Sequence, residues 1–259
     1  MPDLKAQRRS FALVAEERPL AEAAPVANGL LNNLIAYWPG DEAAGNALDA
    51  HTNALDLTDT NTVTSNPGLV YPLARQYTRA NNEHHQRPGD DALLSVQDID
   101  FTLASLVRLD AVGVRQGISG KYGLAGDRSY MLWYFEFVNR FQFRVSSDGT
   151  AETSQDANTL GAPAINTWYL IVGWHDSVAN TINIQVNNGG IDSTPHATGV
   201  FDNVYSFRIG MGRATWTDGR IGPTMFWKSA AGGGGVLTAA QRTQLWNGGA
   251  GLPYASFTV

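Results

Sequence analysis

Residues 165–190, INTWYLIVGWHDSVANTINIQVNNGG, decide the fold. In the first half Trp168, Leu170, Val172 and Trp174 alternate with Tyr169, Ile171 and Gly173. Apolar residues on both sides of an extended chain mark a central strand buried on both faces. In the second half Ile182, Ile184 and Val186 alternate with Thr181, Asn183, Gln185 and Asn187, the pattern of a strand with one face to water. His175-Asp176-Ser177 and the closing Asn187-Asn188-Gly189-Gly190 supply the turns, because Asn and Gly accept positive φ at little cost. The pair reads as the middle of a β-sandwich.

More short strands surround it. Leu34–Pro39, Asp100–Leu109 and Gly117–Tyr122 are strand-like, and Tyr130–Val145 reads as a hairpin. In that hairpin Met131, Trp133, Phe135 and Phe137 share one face of the first strand, and Phe141, Phe143 and Val145 one face of the second. Val204–Gly210 is expected as a strand with Tyr205, Phe207 and Ile209 inward, and Ile191–Asp202 as a loop. One helix is expected, Ala239–Asn247, with Thr238 as N-cap, Gln241 completing a capping box, and Gly248 or Gly249 as the stop. Many closely spaced strands with one late helix predict an all-β, two-sheet antiparallel sandwich.

Residues 1–29 differ in composition: rich in Ala, Glu and Arg, with Pro19 and Pro25. They read as an N-terminal arm ahead of a single domain at 30–259. The 259 residues suffice for one large β-domain, and no cysteine is present to form a disulfide or thiolate site. A net charge of −6 argues against a nucleic-acid footprint, and no apolar run reaches the ~20 residues of a membrane span. Phe11–Val14 is too short for a signal-peptide core, so a cytoplasmic origin is expected.

Taken in order, several segments resemble the laminin-G-like, concanavalin-A-like jelly-roll family. They are Leu34–Gly45, Gly117–Lys121, Thr167-Trp168-Tyr169, Ile182–Gly189, Phe207–Gly210, Asp218–Gly222 and Leu245–Gly249. The resemblance covers about residues 30–256. It implies a jelly roll that binds glycans or proteins through its loops, without catalysis. Where the family has an acidic residue after the isoleucine of its Asp-Gly-x-Ile segment, this chain has Gly222-Pro223, which removes a carboxylate available to calcium. Calcium (Ca2+) held by oxygen ligands near Asp41, Asp49 or Asp218 stays open as a cofactor.

Glycan binding calls for an aromatic platform beside amide, carboxylate or guanidinium groups. The candidates are Trp216 and Asp218 in one loop, with Asn82, His84, His85 and Arg87 in another. Trp216 is expected to lie outside any strand. Glu136, alone in an aromatic strand, reads as a rim or paired residue rather than half of a catalytic carboxylate pair. The function expected is a non-enzymatic virion surface protein of a bacteriophage, a capsid decoration or tail adhesin. Residues 1–29 would dock it to the major capsid or tail protein, with the loops facing glycans and a homo-oligomer allowed. The alternatives are a carbohydrate-active enzyme or its accessory domain, and a purely structural cement protein.

Overall fold

The computed structural model describes residues 27–259, so the arm expected at 1–29 lies outside the described residues except for its last three. Two antiparallel sheets face each other. The eight-stranded sheet runs, in order, through Ile191–Pro195, Thr181–Val186, Trp168–Asp176, Asp100–Leu109, Gly219–Ser229, Leu73–Tyr77 and Thr64–Pro67; Leu34–Trp38 pairs along Gly219–Ser229. The seven-stranded sheet runs through Thr153–Asp156, Arg140–Val145, Arg128–Phe135, Gln116–Tyr122, Arg208–Ile209, His84–Gln86 and Thr58–Thr60. This is the expected jelly-roll sandwich. Among the described residues no helix is long and apolar enough to cross a membrane.

Trp168–Asp176 is buried on both faces, as its sequence demands. Tyr169 and Ile171 enter the core between the sheets with Phe101, Leu103, Leu132, Phe143 and Phe226. Gly173 is glycine because a Cβ there would sit 2.5 Å from the Phe143 ring. Leu170, Val172 and Trp174 point outward into a second apolar layer with Trp227, Leu237, Leu245 and Phe257. That layer is roofed by the helix Ala239–Trp246, whose capping box joins Thr238 and Gln241 as expected. Asn247, left-handed at φ 48°, ends it one residue before the expected glycine.

The Arg128–Phe135 and Arg140–Val145 hairpin divides its side chains between the two faces of its sheet. Tyr130, Leu132, Tyr134, Phe141, Phe143 and Val145 join the inter-sheet core, whereas Met131, Trp133 and Phe135 form an outer cluster with Tyr122. Phe137 falls in the turn and is 75% exposed.

Four expectations need correction. Ile191–Pro195 is an edge strand rather than a loop, and Pro195 is tolerated because an edge residue owes the ladder no amide. Tyr205 lies outside the Arg208–Ile209 strand and stacks on the Arg208 guanidinium, 4.1 Å from the ring centre. His175 is fully buried within its strand with Nδ1 against the Ile99 carbonyl, so the turn begins after it. Trp216 belongs to a two-residue strand, Thr215–Trp216, paired with Met211–Gly212.

Candidate functional site

That small hairpin shapes the candidate site. Arg213 and Ala214, the two residues between its strands, both take positive φ, 52° and 54°. The geometry is that of a type I′ turn, which normally selects Asn and Gly. Two non-glycine residues held there are a local strain, and such strain collects at ligand-facing segments. Other contacts hold the hairpin down on the Gln116–Tyr122 strand. The Arg213 amide donates to the Tyr122 carbonyl (2.9 Å), the Thr217 hydroxyl to the Gly117 carbonyl (2.7 Å), and the Arg213 guanidinium meets Glu152 at 2.9 Å. Gly117 leaves the space this needs, since a Cβ there would lie 2.0 Å from the Gly212 nitrogen.

Beside the hairpin opens a groove of about 540 Å³. Four segments line it: Ala214 to Trp216, the turn from Arg79 to Asn82, the loop from Gly113 to Arg115, and Glu136. The buried Glu83 carboxylate braces the Arg79–Asn81 turn, accepting from the Thr78 amide (2.7 Å) and the Asn81 side chain (2.8 Å). Asn82 ends the turn in a left-handed conformation. Arg115 donates from Nε and reaches from Nη2 to one Glu136 oxygen, Oε1, at 3.0 and 2.9 Å. Its guanidinium also lies between the Phe135 and Phe137 rings, 5.5 and 5.3 Å from their centres.

The groove wall contains three buried polar atoms with no hydrogen-bond partner among the described residues: Arg79 Nη1, Glu136 Oε2 and Trp216 Nε1. Buried polar groups are almost always paired, because an unpaired one forfeits its hydration without return. One of the three belongs to the half-buried indole itself, and the other two to residues that line the same groove.

The residues singled out from the sequence therefore separate. Trp216 and Asn82 come together in the groove. His84 lies beside it, buried, with Nδ1 3.0 Å from the Asn82 carbonyl; burial holds its imidazole below the ordinary histidine value. His85 faces the other way and is 0% exposed, so it is a core residue and not a surface ligand. Alternation along His84–Gln86 sends neighbouring side chains to opposite faces. Arg87 is engaged elsewhere, with the Asp91 carboxylate (3.1 Å) and the Asp56 carbonyl (3.1 Å). Asp218 lies outside the lining, its amide donating to Gln116 Oε1 (2.7 Å).

Sequence reading missed Arg79 and Arg115 and took Glu136 as a rim or paired residue; one of its oxygens is paired, with Arg115. Among the described residues no three His, Asp or Glu side chains gather as a metal site. Asp49 instead accepts from the amides of Tyr37, His51 and Leu55 and so organises its own loop.

No family model matches the chain, and no curated protein matches it by sequence. Solved structures do match. Domain 4 of AbnA, a GH43 extracellular arabinanase from Geobacillus stearothermophilus in complex with arabinotriose, aligns with a TM-score of 0.61 at 15% identity, covering 82% of this chain and 97% of that one. The shared feature is the fold. The binding domain of Paraclostridial Mosquitocidal Protein 1 aligns at 0.65 and 13% identity, over 83% of this chain and 52% of its own. Trypanosoma rangeli sialidase, in complex with the inhibitor DANA, aligns at 0.58 and 14%, over 84% of this chain and 33% of its own. The chain thus spans about half of the toxin domain and about a third of the sialidase.

Proposed function

We propose that the protein is a non-enzymatic glycan-binding protein whose site is the Trp216 groove. The observation that carries this is the set of three buried polar atoms in groove-lining residues, unpartnered among the described residues, one of them the nitrogen of the half-buried Trp216 indole. A pyranose or furanose ring offers an apolar face to a tryptophan and hydroxyls, each both donor and acceptor, to its rim. Glu136 Oε2 accepts, Trp216 Nε1 and Arg79 donate, and the exposed Asn82 amide does both. The arabinanase domain, solved with arabinotriose and matched over nearly its whole length, lends support at the level of the scaffold. Hydrolysis by the two-carboxylate route needs a second acid about 5–10 Å from the first. Among the described residues Glu136 is the one carboxylate in the lining, and Arg115 already holds it.

Replacing Trp216 with Ala tests this. The variant should lose its signal on a glycan array while its Tm falls by no more than about 4 °C, the effect of about 1 kcal/mol in a domain of this size. An unchanged array profile would rule the groove out. For the whole chain we keep the reading of a virion surface protein docked through residues 1–29, supported by the distinct composition of that segment. Deleting residues 1–29 should then abolish incorporation into particles; full incorporation would remove the docking role.

A further inference from the structure

The balance of charge and hydrogen-bond donors in the groove identifies the class of sugar. Two guanidinium groups, Arg79 and Arg115, line it against a single carboxylate, Glu136. Arg115 directs both Nε and Nη2 at the same oxygen of Glu136. The Arg79 carbonyl accepts from the Asn82 amide, but its guanidinium has neither a hydrogen bond nor an ion pair among the described residues, and Nη1 is buried. Behind the hairpin the excess continues. Glu152 is shared by three guanidinium groups, Arg128 at 3.1 Å, Arg144 at 2.5 Å and Arg213 at 2.9 Å. This concentration of arginine stands on a chain whose net charge is −6, so the general field does not explain it.

A neutral sugar would occupy the indole and still leave the Arg79 guanidinium without an anion in a partly desolvated site. A carboxylate matches the planar fork of a guanidinium with two parallel hydrogen bonds, each stronger for being charge-assisted. We propose that the groove selects a carboxylated sugar, such as a uronic or sialic acid, with the carboxylate on Arg79 and the ring against Trp216. This rests on the glycan reading of the groove and goes beyond it in naming the acid group as the determinant. A site built around a charge partner rejects the analogue that lacks it far more strongly than an apolar pocket rejects a changed shape.

The full chain is first applied to an array bearing both neutral and carboxylated glycans. It is then titrated with matched pairs: 3′-sialyllactose against lactose, and trigalacturonate against its methyl ester. In at least one pair the acid should bind about tenfold or more tighter, and that preference should shrink as NaCl rises from about 50 to about 500 mM. Arg79→Gln should erase the preference, weakening the acid about tenfold or more and the neutral member, which loses one hydroxyl contact, by much less. Arg79→Lys, which keeps the charge but not the fork, should retain part of it. Thermal unfolding of each variant serves as the fold control, and the salt titration of the unaltered protein needs no variant. Neutral sugars bound as tightly as acids, or a preference intact in a folded Arg79→Gln protein, would overturn the acid assignment and leave the glycan reading standing. Silence across the whole array would overturn both.

Discussion

His85 shows how a residue that looks like surface chemistry in the sequence becomes an internal part. Its Nε2 lies 3.0 Å from both Arg75 Nη2 and the Gly45 carbonyl, and its Nδ1 2.9 Å from the Tyr77 hydroxyl. Burial pushes its pKa down to about 4, the nearby Gly45 carbonyl opposes this, and the Arg75 cation adds to the depression. The sign of the pH effect follows. Between about 6.5 and 4 the unfolded chain takes up a proton at this ring that the folded protein refuses, so stability falls on acidification through that window. The depression corresponds to about 3 kcal/mol when fully developed. His84 and His196 are also held low by burial and act in the same direction, while the half-buried carboxylates of Glu42 and Asp49, held high by desolvation, act oppositely. The diagnostic quantity is therefore a difference. His85→Gln should be less stable at neutral pH yet show a shallower loss of Tm between pH 6.5 and 4.5. A variant that keeps the wild-type slope would mean that His85 does not hold the depressed proton affinity.

Among the elements, the hairpin from Met211 to Trp216 brings the aromatic side chain to the groove and was the least legible. Its seat depends on a glycine a hundred residues earlier. A methyl group at Gly117 would meet backbone, the Gly212 nitrogen at 2.0 Å and the Met211 carbonyl carbon at 2.7 Å, so no rotamer change relieves it. Gly117→Ala should cost about 1–3 kcal/mol, the usual range for overpacking. It should also lift Trp216 away and abolish glycan binding, although residue 117 does not line the groove. Binding at wild-type strength in that variant would mean that the hairpin's position is immaterial. The same element shows where sequence reading stopped. Local periodicity revealed the two-faced burial of Trp168–Asp176 and the capping box at Thr238, because those patterns repeat within a few residues. A type I′ turn made of Arg213 and Ala214 carries no turn signature, and the edge strand Ile191–Pro195 is too polar to show alternation. The groove itself joins segments near residues 80, 114, 136 and 215, and only Trp216 and Asn82 could be singled out, by residue type. Arg79 and Arg115 acquire meaning from the pairing of Gln116–Tyr122 with its neighbours, which no short pattern encodes.

At the scale of the molecule, the two outer sheet faces have different duties. The eight-stranded sheet is covered by the segment around Asn28 and Leu30 together with the C-terminal residues. Phe257 packs edge-on against Tyr37 at 5.3 Å and parallel to Trp227 at 6.3 Å, the Trp227 indole donates to the Leu30 carbonyl, and Asn28 grips Thr258. Among the described residues the seven-stranded sheet has no such apolar lid. Its outer cluster is finished by arginine, with Arg144 stacked 4.2 Å over Trp133, and the groove opens at its side. With the groove as the proposed recognition site, stability and recognition divide across the thickness of the sandwich, and they should respond separately to substitution. Phe257→Ala removes a buried ring from the covered side and should cost about 3–5 kcal/mol. In a domain of this size that lowers Tm by about 10 °C or more. Well below that midpoint, its affinity for whichever glycan the wild-type protein binds should be unchanged, because the inter-sheet core that carries the hairpin is untouched. A folded Phe257→Ala protein with weakened binding would show that the covered face couples to the groove through the core, and the division of roles between the two faces would fail.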